Sequence, residues 1–188
     1  MNAILSKDFV QQLLISCLLA IFCVPALAQG GGWQDARGNR QGDTASRKTV
    51  DGFSGLLLLT PDEDWKQKWD TPPETAPSFS TVSEVPYGKR LFVLVFFANP
   101  KVGPGHEAEV RCDLRVIRPD GSFSLDQKDQ ICFKEPAAGP PGNVRLSYPS
   151  IQFVGDPGDP AGDWKVQVTL RDVNRDSEVA LQTQFTLK

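Results

Sequence analysis

The chain has one histidine, one methionine and two tyrosines among its 188 residues. His106 therefore has no second imidazole with which to build a zinc site of the usual roughly three or four nitrogen and sulfur ligands. Cysteine is scarce too. Of four cysteines, Cys17 and Cys23 lie in an N-terminal apolar run, which leaves Cys112 and Cys132 for the body of the protein. No C-x-x-C pair is present. Basic charge is not in excess: 20 Lys and Arg face 23 Asp and Glu, for a net charge of −3. A nucleic-acid binder needs a basic face, so that class is excluded as a partner. Long hydrophobic runs are missing as well. The run Leu13–Val24 is twelve residues, short of the about 20 that span a bilayer. There is no G-x-S-x-G nucleophile elbow. Gly30-Gly31-Gly32 follows no strand and opens no helix, so it is no phosphate loop.

What is present begins with an address. Lys7, the apolar run, the breaker Pro25 and the small residues of Ala26-Leu27-Ala28 read as a secretory signal peptide over 1–28. Cleavage before Gln29 predicts a periplasmic or secreted protein with no stable membrane insertion afterwards. Leu14-Ile15-Ser16-Cys17 offers the alternative of an acylated lipobox cysteine. Residues 29–49 are Gly-rich and polar, with Trp33 and two alanines as their only apolar residues. That composition predicts a flexible linker. Residues 50–188 form the predicted domain. In an exported protein the two remaining cysteines predict one Cys112–Cys132 disulfide.

The body reads as strands. Gly55–Thr60 is a short apolar run, Ser78–Val85 a weak edge segment, and Arg90–Ala98 an apolar strand covered on both faces. Glu109–Arg118 alternates, with Val110, Cys112, Leu114 and Val116 on one face. Pro119-Asp120-Gly121-Ser122 marks a turn, and short strands follow around Phe123–Leu125 and Ile131–Phe133. Simple pairing across that turn sets Cys112 opposite Asp129, so the disulfide requires a bulge or an excursion between Leu125 and Ile131. Thr60-Pro61-Asp62-Glu63 carries the marks of a helix start, with Thr60 as cap and Glu63 completing a capping box. A helix over 61–70 then places Trp65 and Trp69 on one face. Trp164, Val166, Val168 and Leu170, followed by Val179, Leu181, Phe185 and Leu187, make a closing hairpin with one buried side.

The segment Gly162-Asp163-Trp164-Lys165-Val166-Gln167-Val168-Thr169-Leu170-Arg171-Asp172 resembles the final strand pair of bacterial immunoglobulin-like domains. The resemblance implies an all-β fold and carries no catalytic residue. With the strand spacing, it predicts an immunoglobulin-like antiparallel β-sandwich of about seven or eight strands and one short helix near 61–70.

Candidate chemistry is sparse. His106 beside Glu107 lies in a loop without a nucleophile motif, so no catalytic residue and no cofactor is assigned. Asp156, Asp159 and Asp163 sit in a turn-rich loop whose oxygens are a calcium candidate, though the EF-hand spacing is absent. Trp65, Trp69 and Tyr148 are candidate sugar-stacking surfaces. The leading expectation is a non-catalytic exported module that binds a protein or assembly partner. The alternatives are a carbohydrate-binding module and a small hydrolase.

Overall fold

The computed structural model describes residues 32–34, 38–71, 77–136, 139–140 and 142–188. The proposed signal peptide, Cys17 and Cys23 lie outside the described residues. Among the described residues, no helix is long and apolar enough to cross a membrane.

Two sheets pack face to face. The first has the order β1 (Arg47–Val50), β2 (Phe53–Thr60), β4 (Arg90–Ala98), with β7 (Val144–Leu146) and β8 (Ile151–Val154) both paired to the far side of β4. The second has the order β3 (Glu84–Val85), β10 (Ser177–Leu187), β9 (Gly162–Asp172), β5 (Glu107–Ile117), β6 (Phe123–Pro136). All pairings are antiparallel except that of β3, which runs parallel to β10. A short helix, α1 (Trp65–Trp69), follows β2. The protein is an all-β sandwich.

Alternation explains the inner core. Leu91, Val93, Val95 and Phe97 of β4 meet Val110, Cys112, Leu114 and Val116 of β5 and the apolar row of β9 and β10 in one buried cluster. The sheets approach closely at Gly55. A Cβ there would lie 3.0–3.1 Å from Val179, Leu170 and Leu181. The other face of β4 buries Phe92, Leu94 and Phe96 in a second cluster, outside the sandwich, under Trp33, Trp65, Trp69 and Phe79. Both faces of β4 are therefore dry, as its unbroken apolar run requires.

Several expectations change. The helix begins at Trp65, not at Pro61. The Thr60 hydroxyl accepts from Asp62 N at 3.1 Å, closing a local turn instead of capping a helix. Glu63 pairs with Arg90 and does not complete a capping box. The strand expected over Ser78–Val85 shrinks to Glu84–Val85, because only there does the chain meet the edge of β10.

The linker expected over 29–49 is not detached where it is described. β1 starts at Arg47 inside it, Gln182 N donates to Ala45 O, and Trp33 Nε1 donates to Gly55 O at 3.0 Å. A single large aromatic and a few backbone bonds anchor this polar segment.

The two short strands expected after the turn are one long strand, β6, with three register shifts against β5. One shift sets Asp113 opposite the Lys128–Asp129 pair. Another leaves Cys132 as the extra residue between Ile131, opposite Arg111, and Phe133, opposite Val110. The disulfide forms with Cα atoms 5.8 Å apart. It joins neighbouring strands of one sheet and does not cross between sheets.

Candidate functional site

The predicted candidates do not assemble into one place. His106 is exposed and sits in the turn before β5, its amide bonded to Gly103 O. Asp159 Oδ2 accepts from Asp156 N at 3.0 Å, and Asp163 Oδ1 accepts from the Thr186 hydroxyl at 2.6 Å. These carboxylates are used by their own loop and strand. Among the described residues, no group of three or more His, Cys, Asp or Glu side chains is placed to hold a metal ion.

Trp65 and Trp69 are half-buried. Their rings lie 6.2 Å from Phe92 and 5.2 Å from Phe96. Tyr148 belongs elsewhere: its ring is 6.3 Å from Phe133, and no ring contact joins it to either tryptophan. The three candidate stacking residues thus form no shared platform.

Exposed apolar side chains recur along a different surface. β6 is the outer strand of the second sheet, so its outward edge meets solvent. Phe123 is 52% exposed and Ile131 is 45% exposed on it, and Tyr148, at 41%, lies against it. Tyr148 is fixed there by two bonds. Its amide donates to Cys132 O at 2.9 Å, and its hydroxyl accepts from Lys134 N at 2.8 Å. Ser147 N meanwhile donates to Val95 O, so the Ser147-Tyr148 segment laces β4 of one sheet to β6 of the other.

Ion pairs hold the ground between these apolar points. Lys134 lies 3.0 Å from Glu109, and Arg115 lies 3.0 Å from Asp126. Arg111 reaches Asp129 at 3.2 Å, and Arg171 reaches Asp113 at 2.6 Å. The Glu109 carboxylate raises the Lys134 pKa above the ordinary lysine value. The Arg171 guanidinium and, despite partial burial, the Asp129 amide hold the Asp113 carboxyl at about 2. Asp129 is itself in the left-handed region at φ 53°. Its N–H donates to Asp113 Oδ1 at 2.8 Å, so the same carboxylate that pairs with Arg171 also caps the bulge. Arg115 lies over the Phe123 ring at 5.9 Å.

Bulges and charges of this kind blunt a sheet edge against strand addition. They leave side chains, not a free backbone ladder, as the means of contact. Sequence reading missed this margin because Phe123 and Ile131 look like ordinary strand residues until β6 is known to be the outermost strand.

No protein-family model matches the sequence, and no curated protein sequence is detectably similar. The chain is similar in structure to the Niemann-Pick type C2 protein from Japanese carpenter ant, at 12% identity over 70% of this chain and 89% of that one, with a TM-score of 0.39. It is similar to the CARDB domain of a Pyrococcus furiosus protein solved with di-metal ions, at 8% identity over 79% and 99% of the two chains, TM-score 0.38. It is also similar to a family 123 glycoside hydrolase from Clostridium perfringens, at 6% identity over 71% of this chain but only 27% of that one, TM-score 0.39. By its own strand order and core, the chain is a two-sheet β-sandwich.

Proposed function

We propose that the protein is an exported, non-catalytic β-sandwich module that binds a folded protein partner along the β6 margin. The observation that carries this reading is the placement of Phe123, Ile131 and Tyr148. Three of the six large apolar side chains that are exposed among the described residues belong to this one edge or lie against it. Aromatic residues are enriched in protein interfaces, where an apolar body buries and a polar tip stays bonded. Tyr148 has that form. The flanking ion pairs supply a polar rim that favours a partner of matching charge pattern. Export rests on the signal reading of 1–28, and the disulfide fits an oxidising compartment.

The test is site-specific photo-crosslinking in the exporting cell. A crosslinker at Ile131 captures one defined protein, and one at Lys66 on α1 does not. Phe123→Asp alone weakens the capture without lowering the melting temperature, and adding Tyr148→Asp, which also removes the bond from Lys134 N, abolishes it. Equal capture at both positions, or capture that survives the double substitution, removes the proposal.

A further inference from the structure

Cover on the outer face of β4 comes from two segments built in different ways. The excursion between β2 and β3 is fixed by a strand at each end. Within it the Asp62 carboxylate meets the Lys68 ammonium at 2.7 Å and accepts from Ser80 N at 2.8 Å. Trp65 sits ring to ring with Phe92, and Trp69 and Phe79 with Phe96.

The second segment precedes β1 and is fixed by a strand at one end. Its base is well tied. Arg47 Nε and Nη2 both donate to Gly42 O, Thr49 N donates to Asp43 Oδ1, and Leu57 N donates to Ser46 O. Ahead of Gly42 the chain doubles back on itself. Gln41 N donates to Trp33 O at 2.8 Å, and Gln34 bridges Arg40. Trp33 is the one apolar side chain among the described residues of 32–44. Its indole is half-buried on the Phe92, Leu94 and Phe96 cluster, and its Nε1–H donates to Gly55 O at 3.0 Å.

Two opposing effects meet in this segment. Every ordered backbone residue loses conformational entropy, and a glycine such as Gly38 loses more than most. Against that stand one part-buried indole and its hydrogen bond. A segment docked through one aromatic opens locally, well before the sandwich unfolds.

We propose that residues 32–41 are a two-state strap and that Trp33 is its latch. Docked, the strap holds the chain ahead of β1 against sheet 1 and completes the cover over β4. Released, it uncovers the apolar strip beside Gly55, while the base at Gly42–Ser46 stays in place. The nine residues from Trp33 to Gln41 then extend by up to about 30 Å. The strap therefore switches the segment between a fixed cover and a free tether. It lies on sheet 1, whereas the β6 margin belongs to sheet 2, so the two proposals stand or fall separately.

The experiment is NMR-detected hydrogen exchange on the purified protein, with Trp164 as internal reference. Trp164 is 0% exposed, and its Nε1–H donates to Pro160 O at the same 3.0 Å. The Trp33 Nε1–H should exchange at least about a hundredfold faster than that of Trp164, because local opening suffices. The Gln41 amide is the second probe. Its protection should fall about fivefold in Trp33→Phe, which keeps a ring but loses the N–H donor. It should vanish in Trp33→Ala, while the amide shifts of β5 and β9 stay as in wild type. Trp33 exchange as slow as that of Trp164 would make Trp33 part of the cooperative core and overturn the two-state strap. Wild-type coil shifts over 32–41, or Gln41 protection that survives Trp33→Ala, would overturn the latch.

Discussion

Arg175 Nε lies 3.1 Å from Oδ2 of Asp172, and this pair fastens three connections at one end of the sandwich. Asp172 closes β9 on its inward-facing register, where its side chain is 0% exposed. Its carboxylate also takes the amide of Lys101, while the Arg175 fork reaches Asp51 O and Asn99 O. The hairpin turn after β9 is thereby tied to the turn between β1 and β2 and to the loop after β4.

Arg175→Ala strands a buried carboxylate, which typically costs about 3–5 kcal/mol. Asp126→Ala breaks the exposed pair with Arg115 and should cost less than about 1 kcal/mol. Urea unfolding of the two variants measures the contrast. Equal losses would mean that the end clasp contributes no more than a surface pair.

Stability should also fall in acid, in a defined window. Asp113 and Asp62 both hold folded pKa values of about 2, below the ordinary 3.8. At Asp62 burial acts to raise the value, but the Lys68 ammonium, the Ser80 amide and the Thr60 hydroxyl outweigh it. A depressed folded pKa means the unfolded chain takes up protons first. The stabilisation is full above about pH 4 and is lost as pH falls towards 2. Asp113→Asn should therefore melt well below wild type at pH 7, by about 1 kcal/mol of stability after solvent screening. The gap should close at pH 2. A gap that is constant with pH would show that the carboxylate charge is not what matters.

Gly155 lies beneath Leu187, and a Cβ there would come within 2.3 Å of the Leu187 Cδ1 atom. Leu187 is fully buried and has little freedom to move aside. Gly155→Ala should cost about 1–3 kcal/mol as overpacking. Gly158→Ala, where nothing lies within 4 Å, is the control and should change little. Differential scanning calorimetry of both reads the difference.

The Cys112–Cys132 bridge closes a separation of 20 residues. Loop entropy puts its contribution at about 3 kcal/mol. Both cysteines are 1% exposed, so reduction should be slow in the native state and fast once urea opens the sheet. Free thiols that alkylate readily in the native protein would contradict the bridge.

Trp69→Ala reports on the outer layer. Full burial of a large aromatic would put the cost at about 3–5 kcal/mol. Trp69 is half-buried against Phe96, so about 2–3 kcal/mol is expected. Affinity electrophoresis in soluble polysaccharide gels accompanies the melt. A variant that melts like wild type but loses retardation would restore the sugar-stacking role of Trp65 and Trp69.

The chain by itself determined the strands whose faces differ. Alternation in β5, β9 and β10 marks each inward residue, because period two cannot bury both faces at once. The unbroken run of β4 likewise required cover on two sides. The pairing of Cys112 with Cys132 followed from their being the two cysteines outside the N-terminal apolar run, and the need for a bulge or an excursion between them from counting residues across one turn. Neighbourhood was not legible. Nothing local distinguishes Phe123 or Ile131 from core residues, because exposure depends on β6 being the last strand of its sheet. Asp172 could be read as a charge on an apolar register with Arg175 three residues on in the same turn, yet Lys101, Asp51 and Asn99 meet this pair only when three connections converge. Arg145 and Lys101 are 44 residues apart in sequence and share a cleft for the same reason. The two-sheet packing decides which chain ends and loops meet, and local propensity carries no information about that distance.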